Sequence, residues 1–328
     1  MITRRSLVRA STLAALMGPP ALQTAMAQTG AYPNKPVRML VGFAAGGATD
    51  IFARLVAQKL SDRLGQQFIV ENRPGAGGTI AGAVVAKAPA DGYTLGVVSA
   101  SHAINATLYR KLPYDTLADF VPVGTIATAT NVLVVHPSMP VNSVADYIAL
   151  AKAKPGTINL ASAGTGSSSH LAGELFKSMA GINVLHVPYK GTGEALRDLL
   201  SGQVESTVDA VSALLPHIKS GALKALGVGD PQRMAKLPNV PTISEAGVPG
   251  YVVFAWVGLV APAGTPRDIV QKLNDELATL LKAPDIEEKI DGLGARTYIS
   301  TAEAFGNLIK TEVPKFARII QSAGIQQQ

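Results

Sequence analysis

Val37-Arg-Met-Leu-Val-Gly-Phe-Ala-Ala-Gly-Gly-Ala-Thr-Asp50 sets an apolar run, a turn of small residues and the start of an amphipathic segment end to end. Residues 37–43 read as a strand. Ile51, Phe52, Leu55, Val56 and Leu60 then recur at helical spacing, which predicts a helix over 49–64 stopped by Gly65. The same unit returns later: a short run at 157–161, the turn Ser162-Ala-Gly-Thr-Gly-Ser-Ser-Ser-His170, and a helix over 168–179. A helix N-terminus carries unpaired N–H groups and partial positive charge, so each turn is a ready anion site. Neither turn has the lysine of a P-loop or the spacing of a dinucleotide fingerprint. They lie about 120 residues apart, enough for one per domain. Two such sites without catalytic partners suggest a clamp for a small carboxylate.

Strand and helix signals alternate almost throughout, which predicts an α/β fold with largely parallel sheets. After the first unit come a short strand at 68–71, a tight loop Arg73-Pro-Gly-Ala-Gly-Gly78, a small-residue helix over 79–87 and a strand at 94–99. The middle third repeats the alternation, with strands near 132–135, 158–161, 184–187 and 205–209. Helices near 143–154, 168–179, 193–200 and 213–220 lie between them. The strand expected at 252–260, the helix at 266–281 and a closing helix from about Thr301 have no partners in that unit, so they are assigned back to the first. A chain that crosses over and returns makes two domains joined by two linkers, a hinge with a cleft. The crossings are expected near Val121–Asn131 and Leu226–Gly250. The resulting domains are 28–125 plus 240–328, and 126–239. In open parallel sheets, ligands sit beyond the carboxyl ends of strands, where Phe43, Ser99, Ser162, Pro188 and Asp209 fall.

The N-terminus speaks to compartment. Arg4, Arg5 and Arg9 precede an apolar stretch from about Thr12 to Leu22, and Ala25-Met-Ala27 is a small-x-small cleavage signal. Residues 1–27 therefore read as a secretory signal peptide, too short to span a membrane. Thr3-Arg-Arg-Ser-Leu7 partly matches a twin-arginine signal, and both export routes stay open. The formal charge of +6 includes those three arginines, leaving +3 with Lys and Arg dispersed. Nucleic-acid binding would want a clustered basic stripe with stacking aromatics. The absence of cysteine removes disulfides, thiolate nucleophiles and most structural zinc designs. The expectation is an exported, periplasmic protein.

An ordered set of motifs then resembles the substrate-binding receptors of tripartite tricarboxylate transporters, the Bug family of periplasmic receptors. It includes Tyr32-Pro33 with Pro36, Phe43-Ala-Ala-Gly-Gly47 with Asp50, Glu71-Asn-Arg-Pro-Gly-Ala-Gly-Gly78 and Ala90-Asp-Gly-Tyr-Thr-Leu95. It continues through Leu112-Pro-Tyr-Asp115, Pro155-Gly156, Gly164-Thr-Gly-Ser167 with His170-Leu171, and His186-Val-Pro-Tyr-Lys-Gly191. Leu237-Pro with Val240-Pro-Thr242, Glu245-Ala-Gly247 and Ala261-Pro-Ala-Gly-Thr-Pro266 complete it. Ser99-Ala-Ser101-His102 departs from it, standing where members carry a varied Thr- or Ser-rich turn. The resemblance implies a two-domain, Venus-flytrap fold of periplasmic-binding-protein type that holds a small carboxylate between its lobes. The ligand would be held by main-chain N–H groups, hydroxyls and waters more than by arginine. It further implies delivery to membrane transporter subunits; no cofactor, no metal and no nucleic acid are expected, and the protein is expected to be a monomer.

The residues expected at the ligand are Phe43, Ala44, Gly47 and Asp50 in the first turn and Ser99 at the next strand end. Ser162, Thr165, Gly166, Ser167, Ser168 and His170 come from the second turn, then Tyr189, Lys190, Gly191 and Asp209. Each has a plainer reading. Asp50 is also an early-turn acid that steadies its helix. Phe43 can be core, and one of the serines must cap a helix. Lys190 can be a surface charge, Asp209 a helix cap, and Trp256 core packing. His170 and Glu174 at helical spacing lack a third metal partner. There is no Gly-x-Ser-x-Gly elbow and no His-Glu-x-x-His, so no enzyme is expected. Two competing readings are a ligand sensor for a membrane signalling system and a secreted α/β hydrolase using Ser167 or Ser168 with His170. Consecutive helical residues do not face each other, which counts against the hydrolase.

Overall fold

The computed structural model describes residues 32–328; the expected signal peptide, residues 1–27, lies outside the described residues. The first strand, β1 (Val37–Val41), is buried except at Arg38, as a strand covered on both faces must be. It ends two residues earlier than the apolar run suggests, because the chain turns at Gly42, whose backbone lies against that of Gly78. Helix α1 (Ala48–Leu64) follows and stops at Gly65, which is left-handed at φ 66°. Then come β2 (Phe68–Asn72), a short 3₁₀ turn at 76–78, α2 (Thr79–Ala86), β3 (Thr94–Ser99) and α3 (Ser101–Leu108). The long strand β4 (Phe120–Val135) leads into α4 (Val144–Ala153), β5 (Asn159–Ser162), α5 (Ser168–Ala180), β6 (Leu185–Pro188) and α6 (Thr192–Leu200). After β7 (Ser206–Ala210), α7 (Val211–Lys219) and β8 (Lys224–Val228), the chain returns as β9 (Phe254–Pro262). It closes with α8 (Arg267–Leu281), α9 (Pro284–Gly292), β10 (Ala295–Thr297) and α10 (Ala302–Ser322).

Two α/β lobes share one strand. In the first, strands run β2-β1-β3-β9-β4, with β10 on the far side of β4. β1 pairs in parallel with β2 and β3, and β9 lies antiparallel between β3 and β4. In the second, the order is β8-β4-β7-β5-β6, with parallel β7-β5-β6 pairs and β4 antiparallel to its neighbours. β4 changes partners along its length: it pairs with β9 through Thr130, and with β7 and β8 from Asn131 onward.

Apolar clusters among the described residues hold the lobes. Tyr147, Phe176 and Tyr251 anchor one face of the second sheet, while Val132, Leu199 and Leu214 lie in the cluster on the other. In the first lobe Trp256 is fully buried and meets Phe305 edge-on at 5.3 Å, so it is a core residue. Ile104 and Leu108 of α3 pack with Phe316 and Ile320 of α10, and Leu108 O accepts the N–H of Gln328. Four elements were absent from the sequence reading: α3, β8, α9 and β10. β8 falls at the start of the stretch taken as the return linker. Its Lys224 ammonium donates to the carbonyls of Met139 and Val141, each at 2.7 Å.

Candidate functional site

The first turn is built on a buried carboxylate. Asp50, in the first turn of α1, reaches back to accept the Gly46 N–H at 3.0 Å, and also bonds Arg54 and the Asn72 amide at 2.8 Å. The same amide donates to Phe43 O at 3.0 Å. Burial pushes the Asp50 carboxyl upward, but the bonds from Arg54, Asn72 and Gly46 more than offset this and hold it below its ordinary value. Asp50 thus shapes the turn from behind. Phe43 is 9% exposed and lies against Gly78. Its ring, with Gly77, Ser99, Ser101, His102 and Asn105, borders an internal cavity of about 20 Å³. Ser99 Oγ and Ser101 Oγ satisfy each other at 2.9 Å.

The second turn is pinned just as fully. Ser162 Oγ accepts the Gly164 N–H at 3.1 Å and lies 2.6 Å from His186 Nε2. His170 Nδ1 accepts the Gly166 N–H at 3.3 Å. Ser167 is the N-cap of α5: its Oγ takes the His170 N–H at 3.1 Å and contacts Ser169 Oγ. Gly164 and Gly166 sit at φ 114° and 84°, where a side chain would be strained. Ser168 and Thr165 remain half-exposed.

The two turns meet residues of the opposite lobe at backbone distance. Ala44 N donates to Lys190 O at 3.0 Å. A Cβ on Gly191 would stand 2.6 Å from Ala44 N, and one on Gly193 would overlap Ala45 O. Gly47 lies against Thr192, whose hydroxyl donates to Asp209 Oδ2 at 2.8 Å. On the other flank, Tyr109 OH reaches Thr165 O at 3.4 Å, Asn105 Nδ2 donates to Gly77 O at 2.9 Å, and Gly166 packs on Asn105 Oδ1. Lys190 takes part through its carbonyl, its side chain being exposed. Tyr189 OH is turned to Asp198 at 2.9 Å; burial first, then Asp198, pushes the phenol up to about 12. Asp209 is 5% exposed and also accepts the Ala210 N–H; burial lifts it to about 6 despite these two bonds.

Asn105, Tyr109 and Thr192 were missed in the sequence because α3 was not recognised and because a threonine beside a glycine looks like any helix start. His186 was noticed only within a motif. It sits beside His170 with ring centroids 4.3 Å apart, and one donor atom each from His170, Glu174 and His186 lie within 4.8 Å of one another. The third partner absent from the sequence reading is therefore present, and the donor types suit a divalent metal. The local bonding does not: the Nδ1 lone pair of His170 is committed to Gly166, and Glu174 Oε1 holds the Lys177 ammonium at 2.7 Å. The Ser162–His186 pair likewise has the composition of a nucleophile and base. Ser162 is 1% exposed, however, and its oxygen already accepts an amide.

A family model described as the tripartite tricarboxylate transporter family receptor matches residues 52–325. The chain belongs to this family. Protein BugT of Bordetella pertussis is 38% identical over 295 residues, covering 89% of this chain and 90% of its own. An R. palustris protein, Rpa4515, solved with adipate, is 40% identical with a TM-score of 0.88, over 90% of this chain and 99% of its own. MatC from Rhodopseudomonas palustris, solved with bound malate, is 33% identical with a TM-score of 0.85, over 88% of this chain and all of its own. The fold is the two-domain α/β fold of periplasmic binding proteins, and the family is one of solute-binding receptors.

Proposed function

We propose that this receptor captures a small organic carboxylate in the periplasm, in a cleft between its lobes, and hands it to membrane subunits of a tripartite tricarboxylate-type transporter. The observation that carries the reading is that each glycine turn faces backbone of the opposite lobe, the first meeting Lys190–Gly193 and the second meeting Gly77 and Asn105. Relatives that hold adipate and malate support carboxylate chemistry. Among the described residues no helix is long and apolar enough to cross a membrane. The export signal read from residues 1–27 supports a periplasmic location.

We place the lobes at 28–125 plus 240–328, and 126–239; the partner change of β4 at Thr130–Asn131 supports a first boundary close to 126, whereas Ile243, Val248 and Tyr251 pack with the second lobe's core and move the return boundary to just before β9. The ligand is met by Ala44 and Gly47 on one side and by Thr165, Gly166 and Ser168 on the other, with Phe43, Ser99 and Tyr189 as walls and the Lys190–Gly191 backbone closing over it. Asp50, Ser162, Ser167, His170 and Asp209 hold those groups from behind. The protein performs no catalysis. Calorimetry on the mature chain with a panel of short dicarboxylates and hydroxy acids, adipate and malate included, tests this. One acid should bind 1:1, and at 100 times its dissociation constant should add about 2.7 kcal/mol of stability. A panel in which no carboxylate binds overturns the proposal.

A further inference from the structure

We propose that His170 and His186 are positioning residues that decide which amides of the Ser162–Ser168 turn face the ligand, through two opposite and fixed ring tautomers. This rests on the carboxylate reading above for its effect on affinity, but not for its geometry. Ser162 Oγ accepts the Gly164 N–H, so its own proton is free to go to His186 Nε2, 2.6 Å away. No other acceptor for that proton is found among the described residues, and with Ser162 donating, His186 carries its hydrogen on Nδ1. His170 Nδ1 accepts the Gly166 N–H, so His170 carries its hydrogen on Nε2.

The consequence for the turn is alternation. The amides of Gly164 and Gly166 are drawn inward onto Ser162 Oγ and His170 Nδ1, and that of Ser167 closes onto Gly164 O. The first-turn amide at Ser168 has no acceptor within its own helix, and with half-exposed Thr165 it stays available to an anion. A ring that took a second proton would turn an N–H toward the Gly166 amide. The groups around the pair resist that. The rings face each other at 4.3 Å, Lys177 stands close, and Glu174, the one neighbouring acid, is already paired with Lys177 at 2.7 Å. Burial is the larger cause and these neighbours add to it, so that both rings stay neutral down to about 4.

Amide isosteres separate this role from simple packing. His170→Asn places an oxygen where Nδ1 stands, and His186→Gln places one where Nε2 stands; the two leucine variants remove the acceptor while filling space. His170→Leu and His186→Leu should weaken adipate or malate binding about tenfold, and the Asn and Gln variants should return to within about threefold of wild type. In the ligand-free wild type at neutral pH, nitrogen NMR of the rings should find Nε2–H at His170 and Nδ1–H at His186. Amide exchange at Gly164 and Gly166 should accelerate in the leucine variants. If wild type binds none of these acids, the carboxylate reading fails for them, while tautomers and exchange still judge the brace. Reversed tautomers, exchange unchanged in the leucine variants, or isosteres no better than leucine would overturn it.

Discussion

Gly191→Ala puts a methyl group where the lobes touch. Gly191 is extended, with φ 164°, so alanine is tolerated by its backbone. Its Cβ would nonetheless lie 2.6 Å from Ala44 N and 2.9 Å from Ala44 Cβ. Ordinary contact begins near 3.4 Å, so the first turn must retreat by roughly 0.8 Å. That carries Ala44 N from 3.0 Å to about 3.8 Å from Lys190 O, beyond hydrogen-bond range. One lost bond costs about 1 kcal/mol and the overpacking about 1–3 kcal/mol, together about 30- to 1,000-fold in ligand affinity. The cost falls only on the arrangement in which the turns meet. The second lobe loses no more than about 0.5 kcal/mol at this helix cap, so melting should hardly move. Gly193→Ala sharpens the contrast. Alanine gains up to about 1 kcal/mol in a helix, yet its Cβ overlaps Ala45 O. Calorimetry with the bound acid, beside melting curves of the ligand-free variants, measures both terms. Affinity within twofold of wild type for both variants would refute the argument, because the turns could not then be held together around the ligand.

Ser167→Ala should lower stability by about 1 kcal/mol as a lost N-cap, whereas Ser168→Ala should leave melting unchanged and weaken carboxylate binding; melting and calorimetry on the pair distinguish capping from contact. Asp209, held near 6 in the folded chain against 3.8 when free, binds more protons folded than unfolded. Its contribution therefore turns against folding as pH rises from about 4 to 6, and Asp209→Asn should relieve a penalty of up to about 3 kcal/mol above pH 6 and none below pH 4, read by urea titration across pH. Exported protein should begin at Gln28 by intact mass, and a mature chain that keeps Arg4 and Arg5 would contradict the signal-peptide reading.

What could be read ahead of the structure was local. β1, α1 and the stop at Gly65 follow from an apolar run, helical spacing and one glycine, and β3 was placed to the residue. Helix α3 was not seen, because most of its eight residues are buried, the polar Ser101, His102 and Asn105 included, so polarity does not mark a solvent face. β8 and β10 are strands only because β4 gives them an edge to pair with. The same division holds at the site. The turn that carries Thr165 to Ser168 was legible from its glycines and hydroxyls. The bonds that aim it run from Ser162 to His186, 24 positions away, and the opposing Asn105 and Tyr109 stand about 60 positions before it. No spacing rule reaches that far. Asp50 and Asp209 were expected at the ligand; their partners Asn72 and Thr192 come from other elements.

Strand β9 sits in the middle of the first lobe's sheet, between β3 and β4, yet it is made more than 150 residues after β3. A chain emerging N-terminus first can assemble the second lobe before β9 arrives. The first lobe cannot close until it does. Through that interval β3 and the first half of β4 present unpaired backbone edges, the surface that recruits strands from other molecules. Truncation before residue 254 would make that exposure permanent, so such fragments should aggregate even though every residue of the second lobe is present. The late strand also makes the first lobe the slow one to fold, since its central pairing waits on a contact between distant parts of the chain.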